Sequence, residues 1–160
     1  MHLAMSILVR DEVDIIEDNI RHHAACGVSR FIVTDNGSVD GTRECLASLS
    51  TEFDLTIIDE ESKTIDQDLW VTRMATMLRE QGEADWVINN DADEFWVPNN
   101  ESTLPDALAK SLIQSDVPAD DIGVVCCRRN NFIPDRETVS KDGYCYACLL
   151  YTSPSPRDRG

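Results

Sequence analysis

The sequence predicts an α/β domain with a mainly parallel sheet, and three features point there. Apolar runs of strand length recur along the chain, segments with helical spacing separate them, and glycine-containing or Asp-Asn-Gly-Ser joins punctuate the alternation. Strand–helix alternation implies right-handed crossovers between parallel neighbours. A chain of 160 residues suits about one domain, and 42% hydrophobic residues suffice for a buried core.

Taken in order, Leu3 to Val9 reads as a buried strand. Val13, Ile16, Ile20 and Ala24 then recur at helical spacing, and Gly27 supplies the stop. Arg30 to Thr34 is a second strand, Asp35-Asn36-Gly37-Ser38 a turn, and Thr42 to Leu49 a short helix. Leu55 to Ile58 is a third strand. A longer helix over Asp66 to Glu80 carries Trp70, Met74, Met77 and Leu78 as its inner stripe. Trp86 to Asn90 is the fourth strand. Thr103 reads as the N-cap of a helix bearing Leu104, Leu108 and Leu112, with Asp106 completing a box-like pattern. Ile122 to Cys127 is expected to be a fifth strand.

Parallel sheets bind ligands beyond the carboxyl ends of their strands. Here those ends read Arg10-Asp11-Glu12, Asp35-Asn36, Asp59-Glu60 and Asp91-Ala92-Asp93-Glu94, acid or amide at each exit. Some of these groups are expected to cap the following helices instead. The fourth exit is the sharpest signal. Residues i and i+2 of an extended segment share a face, so Asp91 and Asp93 are expected to address one site. Two such anions repel unless a cation or a proton lies between them. Mg²⁺ or Mn²⁺ takes oxygen ligands and completes its shell with substrate phosphates, so a metal-bound diphosphate is the expected ligand. An EF-hand loop does not fit, because the later Asp/Asn-Gly and distal Glu are missing.

A formal charge of −16 argues against nucleic acid, which needs clustered Lys and Arg. It also disfavours anionic lipid. The longest apolar stretches are strand-sized, and the N-terminus has no basic region leading into a long apolar segment. A cytoplasmic chain is expected, and the Asn36 and Asn100 sequons are expected to be chance. The six cysteines read as buried free thiols, and Cys145-x-x-Cys148 lacks a second pair or a nearby His. His22 and His23, neighbours about 100° apart on a helix, read as packing or solvent-contact residues. From Cys148 to Gly160 the character changes abruptly to a Ser/Pro/Arg tail, which is expected to be non-native or disordered.

Val9-Arg10-Asp11-Glu12, the helix ending in His22-His23 and Gly27, the D-N-G-S-x-D-G-T turn from Asp35 to Thr42, and Asp91-Ala92-Asp93-Glu94-Phe95 together resemble the family 2-like glycosyltransferases, especially the branch near family 92. The likeness covers about residues 3 to 134. It implies a GT-A-like, Rossmann-type three-layer α/β/α sandwich over 1–147 with an incomplete C-terminal half. It further implies transfer of a sugar from a nucleoside-diphosphate donor to an acceptor hydroxyl of a glycan, lipid or protein, metal-dependent and inverting.

By that resemblance Arg10 and Glu12 lie near the nucleotide, Asp35 faces the base or ribose, and Asn36 shapes the same loop. Asp91 approaches the ribose or the metal shell, Asp93 ligates Mn²⁺ or Mg²⁺, and Glu94 supports it. Asp40 is expected to cap the next helix. Arg128 and Arg129 are candidates to neutralise diphosphate. The base is expected beyond the chain end, since Asp116, Asp120, Asp121 and Asp135 match no pattern. The chain is therefore expected to be a donor-binding half, inactive alone. A non-catalytic nucleotide-sugar or protein-binding domain and a nucleotidyltransferase are the alternatives. The latter lacks its Gly-rich basic loop after the first strand.

Overall fold

The computed structural model describes residues 1–60, 66–82, 84–98 and 101–127, with the backbone of 132–134 and 149–151. It divides into two compact units, Met1–Asp116 and Val117–Gly160.

In the first unit, strands β1 (Leu3–Val9), β2 (Arg30–Asp35), β3 (Leu55–Asp59) and β4 (Trp86–Asp91) alternate with helices α1 (Ile16–Ala25), α2 (Thr42–Leu49), α3 (Gln67–Gln81) and α4 (Leu104–Ile113). The sheet order is β3-β2-β1-β4, parallel throughout. Ala4 pairs with Arg30, Leu3 with Trp86 and Phe31 with Leu55, so aligned neighbours share a face. β1 and β2 are buried along almost their whole length, as central parallel strands covered on both faces require. α3 covers one face: its Met74 and Leu78 are fully buried against Ala4 and Ile32, with Met77 packed alongside. On the other face α1 reaches Asn90 of β4 through Asn19.

Chain chemistry sets the element ends. Gly27 has φ +97, and a Cβ there would lie 3.0 Å from Pro105 Cδ, so glycine lets the end of α1 meet α4. Thr103 caps α4, its hydroxyl oxygen accepting the Asp106 N–H at 3.2 Å. Val13 lies ahead of α1 and is 41% exposed, not on the buried helical stripe its spacing suggested, and its N–H donates to the Asp40 carboxylate at 3.0 Å.

The second unit departs from expectation. Ala119–Asp121 forms a 3-10 turn, and 122–127 has no regular structure. The expected strand at Ile122–Cys127 is absent from these described residues; Val124 is 78% exposed. A short apolar run does not itself supply a ladder partner. The expectation of buried thiols fails there too: Cys126 and Cys127 are exposed, while Cys26 and Cys45 are half-buried. Cys145 and Cys148 lie outside the described residues. β5 (Phe132–Pro134) pairs antiparallel with β6 (Leu149–Tyr151), the latter within the stretch expected to be a tail.

Candidate functional site

Because the four strands are parallel, their exits share one rim. The first two exit loops are joined by side chains. The Asp11 N–H donates to Ser38 Oγ at 2.9 Å, the Val39 N–H to Asp11 Oδ1 at 2.7 Å, and the Glu12 N–H to Thr42 Oγ1 at 2.8 Å. These bonds hold Asp11 at φ 57, a left-handed conformation that costs an ordinary residue about 1 kcal/mol or more. Asp35 is buried, and its Oδ1 accepts the Ser38 N–H at 3.1 Å and the Ser38 hydroxyl at 2.5 Å. Buried Asn36 donates its N–H to Val9 O at 2.9 Å. Arg10 remains exposed, its Nε 4.0 Å from Asp11 Oδ2.

Asp40 behaves as a cap. Its Oδ1 accepts the Thr42 hydroxyl at 2.6 Å and the Thr42 N–H at 3.0 Å, and the hydroxyl bond above all holds its carboxyl below the usual range. The third exit is also structural. Arg43 grips Asp59 through two bonds of 2.6 and 3.2 Å, and Arg73 pairs with Glu60 at 3.1 Å.

The fourth exit differs from an extended Asp-x-Asp. β4 ends at Asp91, and the chain turns at once, with the Glu94 N–H donating to Asp91 O at 3.0 Å. Asp91 is therefore the last strand residue and Asp93 lies in the turn, so the shared-face argument does not apply. Asp91 and Glu94 line a cleft of about 400 Å³ on the α3 side of the sheet, together with Ser6, Asn89, Gln67 and Thr72. Asp93 is not among the residues lining that cleft, and its charge reaches Glu12 of the first loop. Burial first, then the charges of Asp14, Asp93, Asp40 and Asp11, raise the Glu12 carboxyl above its ordinary value. Both Asp91 and Asp93 are exposed, and among the described residues neither carboxylate takes part in a hydrogen bond or ion pair.

The backbone of this turn is held by side chains to which the sequence assigned no such role. Asn19 of α1, fully buried, donates through Nδ2 to Ala92 O and Glu94 O, both at 2.8 Å. Asn90 donates to Asp91 O at 2.8 Å and Glu94 O at 3.1 Å, and accepts the Trp96 indole N–H at 2.8 Å. His23, fully buried, accepts the Trp96 N–H at Nε2, 3.0 Å away. Its Nδ1 therefore carries the proton and donates to Asn19 O at 2.8 Å. His22 donates from Nε2 to Trp96 O at 2.9 Å. Phe95 stacks on His23 with centroids 5.9 Å apart. The histidines do pack, as expected, but they also bond the turn. A buried amide at Asn19 between Ile16 and Ile20 on the apolar stripe was the available signal.

Arg128, Arg129 and Asp135 lie outside the described residues. Asp116, Asp120 and Asp121 are exposed. No helix among the described residues is long and apolar enough to cross a membrane.

The architecture, a parallel α/β sheet, has solved counterparts. The crystal structure of S. aureus TarS 1–349 matches with a TM-score of 0.53 at 18% identity, over 68% of this chain and 32% of that one. At that identity the likeness is one of fold, and this chain spans about a third of the TarS chain. No curated protein matches. Residues 3–143 match the profile of glycosyltransferase family 92, and the chain belongs to that family. Membership sets aside the nucleotidyltransferase alternative.

A divalent ion fits the donor set. No group of three or more His, Cys, Asp or Glu among the described residues is arranged as a metal cage. Mg²⁺-like ions need only one or two carboxylates, keeping water and substrate phosphates for the rest. Asp91 and Asp93 are exposed carboxylates of that kind, and the Asp93 charge, after burial and Asp14, contributes to the raised Glu12 carboxyl.

Proposed function

We propose that this chain is the donor-binding part of a glycosyltransferase that moves a sugar from a nucleoside diphosphate to an acceptor hydroxyl with inversion. One observation supports this: unpaired Asp91 and Asp93 stand at the carboxyl end of β4, and the Asp93 charge reaches Glu12, whose carboxyl is raised above its ordinary value. Asp93, with Asp91, would hold Mn²⁺ or Mg²⁺, which when bound neutralises charge on a leaving diphosphate. Arg10 and Glu12 flank the nucleotide. Asp35, with one carboxylate oxygen committed to Ser38, and Asn36 form the wall for base or ribose. The acceptor is a hydroxyl of a glycan, lipid or protein.

The test is thermal stability with Mn²⁺ and a panel of nucleoside diphosphates. At least one should raise the Tm, and Asp93→Ala should remove the metal-dependent part. No shift with any nucleotide in a folded sample contradicts the proposal. Binding without turnover is a second reading, favoured by the exposure of every described acid beyond α4. Product formation by a longer chain that includes an acceptor region separates the two.

A further inference from the structure

The turn from Asp91 to Trp96 is irregular backbone, yet few of its polar groups are left to solvent. The Asp91, Ala92 and Glu94 carbonyls and both backbone groups of Trp96 are bonded by side chains of Asn19, His22, His23 and Asn90. The same side chains leave the Asp91 and Asp93 carboxylates untouched. A buried network has therefore fixed the backbone that carries two exposed anions while keeping the anions available. The Asp93 charge adds to the negative field on Glu12 at no gain to the fold. A stability role alone explains the fixed backbone but not the sparing of the acids. Groups that must meet a ligand in one geometry work best when their supports are rigid and already bonded.

We infer that Asn19 and His23 of α1 are positioning residues for the carboxylate turn, setting the divalent-cation affinity of Asp91 and Asp93 without touching the ion. The inference rests on the donor-site reading above. His23 does this as a neutral ring, because only an unprotonated Nε2 accepts the Trp96 N–H. Asn19 does it because an amide alone offers two N–H donors to Ala92 O and Glu94 O together with an acceptor for His23, whose Nδ1 lies 3.0 Å from Asn19 Oδ1.

The experiment uses the 160-residue chain and Mn²⁺ alone as probe, read by the spin-resonance signal of free Mn²⁺. In parallel, hydrogen exchange follows the Trp96 amide. His23→Phe keeps a ring but removes the acceptor, and His23→Gln restores an acceptor near the Nε2 position. His23→Phe should weaken Mn²⁺ about tenfold, the usual loss when a partner behind a ligand is removed, and speed Trp96 exchange. His23→Gln should recover most of both. Unchanged Mn²⁺ affinity in folded His23→Phe overturns the inference, as does failure of His23→Gln to recover it.

If His23→Phe does not fold, Asn19→Ala takes its place. A fall of a few fold in affinity supports the inference, and no change overturns it. Should the unaltered chain bind no Mn²⁺, the donor-site reading fails by itself. Trp96 exchange then decides: faster in His23→Phe and slowed again in His23→Gln keeps His23 as the residue that sets the turn, and equal exchange in all three removes it.

Discussion

Replacing Asn19 with alanine removes four side-chain hydrogen bonds, one of them a long 3.5 Å bond from Asn90 Nδ2, but their loss is not equal. The Glu94 carbonyl keeps Asn90 Nδ2 at 3.1 Å, and the His23 Nδ1 proton keeps the Asn19 carbonyl at 2.8 Å. The Ala92 carbonyl loses its side-chain donor, within a residue that is 5% exposed. One stranded buried acceptor costs about 1–3 kcal/mol, and the vacated volume adds somewhat. The expected loss is about 2–3 kcal/mol, or a fall in Tm of about 4–12 °C at this size. Asn19→Asp should be worse, about 3–5 kcal/mol, because a buried carboxylate would face two carbonyls with no proton to offer. Urea unfolding followed by tryptophan fluorescence measures both, with an unchanged m-value as the control. If Asn19→Asp is tolerated as well as Asn19→Ala, or both lie within about 0.5 kcal/mol of the unaltered chain, the network does not hold the turn as described.

Burial, the largest influence, pushes the His23 ring down from 6.5 to about 4. The unfolded chain therefore takes up a proton that the folded ring refuses, and stability falls as pH drops from about 6.5 to about 4, by about 3 kcal/mol in all; His23→Gln should flatten that part of a stability–pH curve. The raised Glu12 carboxyl has the opposite consequence. Its ionised form weighs against the fold at neutral pH, so Glu12→Gln should raise the Tm of metal-free protein at pH 7, with the gain vanishing in acid; a lower Tm at pH 7 contradicts this. Gly27→Ala adds a Cβ 3.0 Å from Pro105 Cδ and 3.1 Å from Thr103 Cβ at φ +97, and should cost about 2 kcal/mol or more. Gly37→Ala, at φ +68 in open space, should cost only about 1 kcal/mol; equal losses in chemical denaturation would contradict the packing at Gly27.

The four-stranded core was legible in the sequence because each element carried its own period and end signal. Thr42–Leu49 matches the structure residue for residue, and the α3 stripe of Trp70, Met74 and Leu78 is buried as its spacing requires. Ile122–Cys127 misled because pairing is a non-local property, and an apolar run carries no record of its partner. Asp91 and Asp93 were identified by residue type, but their geometry depended on where β4 ends. The Glu94 N–H bond to Asp91 O sets that end, and no local preference announced it. The acids at Asp59 and Glu60 show the converse: their strand-exit position was correct, and arginines from α2 and α3 hold them. Asn19 escaped notice, and His23 was read only as a packing or solvent-contact residue, because their partners are backbone groups about 70 residues away, invisible to spacing.

The most direct measurement uses isotope-labelled protein with a small amount of Mn²⁺, whose unpaired electrons broaden nearby amide signals. Selective broadening at Asp91 to Glu94 and at Glu12 is the predicted result. Sharp signals there, with broadening scattered over other acids such as Asp116 to Asp121, would contradict a cation site at the end of β4.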